Sequence, residues 1–436
     1  MTPMPQAAAL PLLEIVRPWR DPLQAFAPLA GEDRALLLHD GRNGRARIFA
    51  RPTQTFDDGS RAGFEALQTD FRSAAAGGML AGLFGYDLAG AFETLPAHDA
   101  ARWPALAFAR YPAWAEFDEA AGTLTVRGHD GARVDALAEI LCAGAAVGPV
   151  SAPGAASWTP RWSQARYLAA ARKARDYVHA GDVFQVNLSQ AFDAGLGRGD
   201  APYAVFQRLC QASPAPHAAF FRLDAEHVIL TNSPERFVSV RAGRIEARPI
   251  KGTRRRSADP GLDQALADEL VASAKDRAEN LMIVDLMRND ISRVCTPGSV
   301  KVPTLCGIES YANVHHLVSV VEGELAVGRD VFDLVAASFP PGSITGAPKV
   351  RAMQIIAELE GESRGPYCGA LGWISAAGDM DLNVMIRTAA LRRDGDVWRA
   401  TIRSGGGIVA DSDPLAEYEE TLTKASALRR AVEGRA

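Results

Sequence analysis

Four strand-like segments, residues 218–222, 227–230, 237–240 and 245–250, follow one another with only four to six residues between them. A parallel crossover needs a dozen or more residues, so these neighbours are expected to pair antiparallel. A long helical stretch runs from about residue 260 to 287, and further helices are expected at 331–338, 347–359 and from Asp413 or Pro414 to about 432. Strands at 369–374, 382–391 and 398–403 lie between the last two helices. Without a regular β-α alternation, this order gives a mixed α+β class and not a doubly wound sheet.

Upstream, Ser163 can cap a helix that runs to about residue 180 and closes at Gly181, with a strand at 183–189 behind it. The N-terminal third carries strand-like pieces at 35–39, 82–87 and 124–127, punctuated by Asp-Gly turns at 40, 58 and 130. Residues 143–160 are rich in Ala, Gly, Pro and Ser and read as a linker or surface loop. The chain thus divides into an N-terminal region at 10–142, that linker, and a region at 161–433 where the chemical signals gather. Nothing in the first region looks catalytic by itself.

Composition narrows the function. A net charge of -5 gives no general attraction for nucleic acid or an anionic membrane. The five cysteines are scattered and form no C-x-x-C pair, which suits free thiols in a reducing compartment. The apolar patch at 7–13 lacks a basic n-region and no run reaches membrane length, so a cytoplasmic protein is expected.

The residues that could carry chemistry are few. Lys251 follows an alternating segment, Arg244 to Arg248, and stands between Pro249 and Gly252, which mark where strand pairing is expected to stop. That places an amine at a strand end, although a lone lysine is more often a solvated one. Asp276 with Glu279, and Glu417 with Glu420, are i, i+3 acid pairs on helices, and Lys424 follows Glu420 by one turn. If the two helices face each other, four carboxylates converge on a site suited to Mg²⁺; spacing alone leaves them equally as solvated faces. The loop from Phe339 to Lys349 has glycines and prolines but no Walker A order, since Lys349 follows Pro348. What survives is a helix N-terminus that could receive a carboxylate. Ser404, Gly405, Gly406 and Gly407 end a strand with backbone open to a ligand, or form a flexible turn. Arg387 and Tyr367 are polar groups in apolar settings, and His316 beside His315 has no metal spacing to another histidine.

Long motifs connect these residues: PIKGTRRR at 249–256, DRAENLMIVDLMRNDISRV at 276–294, FPPGSITGAPKVRAM at 339–353 and GGGIVADSDPLAEYEET at 405–421. Together they resemble the chorismate-utilising enzymes, the family of anthranilate, isochorismate, salicylate and aminodeoxychorismate synthases. The match spans about 161–428, with a looser one at GLFGYDLAGAFE, 82–93. The resemblance implies an α/β sandwich like that of anthranilate synthase component I, with two central, mostly antiparallel sheets and helices outside. It also implies Mg²⁺ held by Glu279 and Glu420 with help from Asp276 and Glu417. Tyr367 and Arg387 match holders of the enolpyruvyl carboxylate. Thr345, Gly346, residues 404–407, His316 and Lys424 match substrate-positioning groups, and Glu235 matches the acid that protonates the departing C4 hydroxyl.

Two positions select the branch within the family. Isochorismate and salicylate synthases carry a water-activating lysine where this chain has Gln185, so water is not expected to be the nucleophile. Anthranilate-forming members carry a small residue where this chain has Lys251, and a lysine there is characteristic of the branch that makes 4-amino-4-deoxychorismate. Many anthranilate-type members have histidine where Asn280 stands, a difference with no evident mechanism at this level. Since no segment remains for a glutaminase or a lyase, ammonia is expected from a separate glutamine amidotransferase subunit. Pyruvate release is expected from a separate PLP lyase.

Overall fold

A computed structural model of the chain describes residues 11–73, 77–96, 102–143, 157–197, 201–311 and 314–434. Residues 144–156 of the expected linker and residues 7–10 of the apolar patch lie outside them.

The described residues form a twelve-stranded and a ten-stranded sheet. In the larger sheet, the strand Gln185–Gly195 lies between Gly346–Ala347 and Val397–Ile408, and Thr388–Asp394, His227–Ser233 and His217–Arg222 follow. The strands Leu36–Asp40, Arg45–Phe49, Ala113–Asp118, Thr123–Gly128 and Leu13–Pro18 come next, and the short strand Thr159–Pro160, beside Gln185–Gly195, completes it. In the smaller sheet, Ile250–Arg255 is followed by Val314–Glu324, Arg244–Ala247, Arg236–Arg241, Met380–Val384 and Ala370–Ser375, then by Met79–Phe84, Leu106–Tyr111 and Gln54–Phe56. The strand pairs around the site are antiparallel. Of the consecutive segments expected to pair, His217–Arg222 pairs with His227–Ser233 and Arg236–Arg241 with Arg244–Ala247, but His227–Ser233 and Arg236–Arg241 lie in different sheets, because the chain crosses between the sheets at Pro234 and Glu235.

Three apolar clusters explain the layering. Leu36, Phe49 and Phe221 of the larger sheet pack with Leu83, Leu371 and Trp373 of the smaller, so the two sheets bury a shared seam. The outer face of the larger sheet is covered by helical residues such as Phe206 and Leu428, and that of the smaller by Ile283 and Phe332. Both sheets are therefore covered on both faces, which is why their strands read as nearly continuous apolar runs. The α+β sandwich expected from the motifs is the fold observed.

Several boundaries differ from expectation, each for a local reason. The helix at 260–287 is two helices, Pro260–Ala272 and Ala274–Ser292, because Ser273 leaves helical geometry at ψ 104 and its side chain caps the second helix at Asp276 N. The strand at 382–391 is two strands in different sheets, Met380–Val384 and Thr388–Asp394, and Arg387 lies in the crossing between them at φ +50. The strand at 398–403 continues through all three glycines to Ile408. The helix expected from 347 begins at Lys349, because Gly346 and Ala347 pair with Val186 and Gln185. The strands Lys301–Ser310 and Val314–Glu324 were not anticipated. The helix capped by Ser163 spans Gln164–His179 as expected.

Candidate active site

Lys251 is not at a strand end. The strand expected at 245–250 is two, Arg244–Ala247 and Ile250–Arg255, parted at Arg248 and Pro249, and Lys251 is the second residue of the latter; Ile250 pairs with Val318 and Thr253 with His316, so the register slips across Lys251 and Gly252. One extra residue on one strand is a β-bulge, and Gly252 absorbs it at φ +80. A Cβ at Gly252 would stand 2.7 Å from Leu270 and 2.9 Å from Asp276, so the helices behind it also demand glycine. The bulge re-aims Lys251 towards the 339–349 loop, where Nζ donates to the Ser343 carbonyl at 3.4 Å. Burial pushes its pKa down, partly opposed by Glu279 and Glu235.

Glu235 sits in the tight link between His227–Ser233 and Arg236–Arg241 and is buried. Its backbone is fixed by the Ser233 hydroxyl at 3.1 Å and by Val384 N at 3.0 Å. Burial raises its carboxyl pKa, while Ser343, Lys251 and Lys424 pull it back. The carboxyl thus keeps its proton to higher pH than a solvated one, as a general acid must. Ser343, which touches the surroundings of both groups, was missed by sequence reasoning, since a serine in a Gly-Pro loop carries no spacing signal.

The glycine run forms the opposite wall. Ser404, Gly405, Gly406 and Gly407 pair with Gln190, Ser189, Leu188 and Asn187. Side chains at 406 and 407 would collide with Glu417 Oε2 at 2.9 Å and with the Gln185 amide at 2.7 Å. Glycine is needed here for close packing, not for a flexible turn. The helix Pro414–Glu433 lies on this strand, with Lys424 Nζ donating to the Gly405 carbonyl at 3.1 Å and paired with Glu420 at 2.6 Å. Glu417 is buried, accepts the Ser412 hydroxyl at 2.7 Å, and has its pKa raised by burial and by Glu420.

The two acidic helices border one region. Lys251 lies within electrostatic range of Glu279 and Glu420, and Glu417 within range of Lys275. Asp276 pairs with Arg254 at 3.5 Å and Glu279 loosely with Lys275 at 3.9 Å. No three metal-ligating side chains are preassembled among the described residues. The donor set nonetheless fits a hard divalent cation: Glu417 and Glu420 oxygens crowd one glycine, a like-charge pairing that a cation relieves.

The remaining expected residues are placed as follows. Thr345 is buried and bonded to the Pro341 carbonyl at 2.7 Å, and its own carbonyl accepts from Asn187 N at 2.8 Å. Gln185 is fully buried, and neither its amide oxygen nor its nitrogen has a hydrogen-bond partner among the described residues. His316 bonds Thr253 Oγ1 at 2.9 Å, and burial, with Arg42 and Arg387 nearby, lowers its pKa to about 4, so the ring is neutral. Tyr367 is buried, and the segment it opens meets the Arg387 crossing through Cys368 N to Met385 O at 2.9 Å. The Arg387 side chain is exposed and makes no hydrogen bond or ion pair among the described residues. Lys349 does not offer a ligand site: its ammonium is taken by Asp290 at 2.5 Å and by the Ser338 carbonyl.

Asn280 now has a mechanical account. It is fully buried where its helix packs on the Lys301–Ser310 and Val314–Glu324 strands, and Oδ1 accepts from the Ser319 hydroxyl and, at 3.7 Å, from the Cys306 thiol. Nδ2 donates to the Leu317 carbonyl at 3.3 Å. The residue thus fastens the helix bearing Glu279 to the Val314–Glu324 strand.

Comparison with known proteins agrees with this geometry. The chorismate binding enzyme family model matches residues 33–430. Aminodeoxychorismate synthase component 1 from Klebsiella aerogenes is 41% identical over 456 residues, covering 95% of this chain and 98% of that protein. Anthranilate synthase component 1 from Aquifex aeolicus is 46% identical over a shorter span, 64% of this chain and 56% of that protein. The crystal structure of anthranilate synthase component I from Streptococcus pneumoniae superposes with a TM-score of 0.78 at 30% identity, covering 89% of this chain and 92% of that one. The chain belongs to the chorismate binding enzyme family.

Proposed function

We propose that the chain is a synthase that converts chorismate and ammonia to 4-amino-4-deoxychorismate, in the branch leading to 4-aminobenzoate and folate. The observation that carries this reading is a half-buried Lys251 with a lowered pKa, directed across a bulge to the Ser343 carbonyl and within electrostatic range of the acid Glu235. A relative named aminodeoxychorismate synthase component 1 matches 95% of the chain and two more of that name match 82% each, which supports the same branch.

The regiochemistry explains the amine. Attack across the diene pairs C2 with C4, yet nitrogen must finish on C4. Neutral Lys251 attacks C2, both double bonds shift, and the C4 hydroxyl leaves as water with the proton of Glu235. Ammonia then attacks C4, the double bonds shift back, and the C2–N bond to Lys251 breaks. The ammonium formed at C4 returns one proton to the Glu235 carboxylate, so one ammonia is consumed, one water is released, and Lys251 and Glu235 are both restored to their neutral forms. Burial of both Lys251 and Glu235 favours the neutral amine and neutral acid that this sequence needs over the charged pair.

Glu279 and Glu420, with Asp276 and Glu417, would hold Mg²⁺. When bound, the ion supplies Lewis-acid polarisation and a fixed point for the ring carboxylate. Tyr367 and Arg387 hold the enolpyruvyl carboxylate, an arrangement that uses the uncommitted guanidinium of Arg387. Thr345, Gly346, the 404–407 backbone, His316 and Lys424 fix the ring. Gln185 presents an amide in place of a base, so water is not activated at C2. Ammonia is delivered by a separate glutamine amidotransferase, and a PLP lyase completes 4-aminobenzoate. No helix among the described residues is long and apolar enough to cross a membrane, and the cytoplasm is the proposed location.

The test is to supply the purified chain with chorismate, Mg²⁺ and ammonium and to identify the product by mass spectrometry and fluorescence. The 4-amino adduct without pyruvate release is expected. Direct anthranilate with pyruvate, or chorismate bound but never consumed, would contradict the proposal.

A further inference from the structure

Outside the residues that face Lys251, one carboxylate is tied to several backbone segments of the site at once. Glu360, the last residue of the helix Lys349–Glu360, is 1% exposed. Its Oε1 accepts from Ser189 N at 2.8 Å, Ser189 Oγ at 2.8 Å and Arg364 Nη2 at 2.6 Å. Its Oε2 accepts from Arg364 Nε at 3.0 Å and Arg403 Nη2 at 2.9 Å. Arg364 extends the network, donating to the Ile344 carbonyl at 3.2 Å and the Asn187 carbonyl at 2.8 Å, with its guanidinium 5.7 Å from the Tyr367 ring centroid. Arg403 immediately precedes the 404–407 run. Five bonds saturate a carboxylate, so this cluster is fully committed and offers no ligand site of its own.

The geometry points to Glu360 as a positioning residue: through Arg364 and Arg403 it fixes the spacing of the Ile344–Thr345 backbone, the 187–189 strand and the 404–407 run. These are the segments that line the substrate, which Glu360 itself does not touch. The inference takes its substrate, a cyclic dicarboxylate, from the function proposed above. Its consequence is separable from stability. A buried ion cluster can be replaced by apolar residues of similar volume with little loss of stability, but the forked hydrogen bonds to Ile344 and Asn187 go with it. Lysine in place of Arg364 keeps a cation beside Glu360, yet as a point charge it cannot span Glu360 and both carbonyls.

Two variants test this in the ammonium-dependent assay, with chorismate consumption as a product-independent readout and folding checked by circular dichroism and thermal melting. Arg364→Lys, and the triple replacement Glu360→Leu, Arg364→Met, Arg403→Met, are each expected to raise KM for chorismate about tenfold. kcat should fall less, and the Mg²⁺ half-saturation should stay unchanged. A role confined to stability would shift only the melting temperature. A folded variant of either kind with wild-type KM overturns the positioning role. If the wild-type chain itself makes no 4-amino product, the function reading fails instead, independently of the variants.

Discussion

Replacing Gly406 by alanine tests the contact between the glycine strand and the acidic helix. The new Cβ would lie 2.9 Å from Glu417 Oε2, 3.7 Å from Glu420 Oε1 and 4.0 Å from Lys424 Nζ. A carbon-oxygen contact relaxes to about 3.3 Å, so the Glu417 carboxylate must retreat by about 0.4 Å. That motion strains its 2.7 Å bond from Ser412, a hydrogen bond to a charged group whose full loss would cost about 1.5–3 kcal/mol. Misplacement of a positioning group by about 1 Å can cost on the order of a hundredfold in rate, so a shift of this size should lower kcat/KM about tenfold. The Mg²⁺ half-saturation should rise with it, because Glu417 is one of the proposed ligands. The assay is a Mg²⁺ titration of chorismate consumption beside Gly195→Ala. At Gly195 a Cβ meets only Val397 at 3.8 Å, and activity should not change. A Mg²⁺ titration of Gly406→Ala that superimposes on wild type would refute the placement of Glu417 at the metal.

Three further outcomes are expected. Lys251, with its pKa lowered, becomes neutral as pH rises, and Glu235, with its pKa raised, loses its proton as pH rises, while the reaction needs both groups neutral. kcat/KM should therefore be bell-shaped, and Glu235→Gln should lower it by about 10²–10⁴-fold and abolish the alkaline limb. Glu420→Gln removes a carboxylate oxygen now held by Lys424 at 2.6 Å, and should lower activity strongly while raising the Mg²⁺ requirement in the same titration. Asn280→Ala leaves the buried Ser319 hydroxyl without its acceptor, costing about 1–3 kcal/mol, which a thermal or urea melt would detect as a lowered midpoint.

How much of this was legible in the sequence depends on how local the determinant is. Ser163 and Gly181 bound a helix by capping chemistry that involves only neighbouring residues, and the structure follows them. The antiparallel pairing of His217–Arg222 with His227–Ser233 and of Arg236–Arg241 with Arg244–Ala247 was legible from their short connections, whereas the crossing from one sheet to the other at Pro234 and Glu235 was not, since a short link serves either arrangement. The bulge at Gly252 was not, since it depends on register against Val314–Glu324, a strand about sixty residues away that was itself unread. The 405–407 glycines were readable as special, but their reasons are Glu417, on a helix that follows later, and Gln185 and Ser189, on a strand far earlier, and composition alone could not separate close packing from a turn. Arg387 looked like an interior strand residue because two strands of different sheets abut in sequence with only three residues between them. Asn280 was unexplained for the same cause: its partners, Cys306, Leu317 and Ser319, lie on strands that only the fold brings to it.

The central claim is that Lys251 bonds transiently to C2 of the substrate, and intact-protein mass spectrometry tests it most directly. With chorismate and Mg²⁺ but no ammonium, the chain should gain the mass of chorismate less one water. Peptide mapping should place that gain on Lys251, and ammonium should discharge it as the 4-amino product. Lys251→Ala should show no adduct and lose the 4-amino product by about a thousandfold or more. No adduct on the wild-type chain under these conditions, together with full 4-amino product formation by Lys251→Ala, would contradict the account.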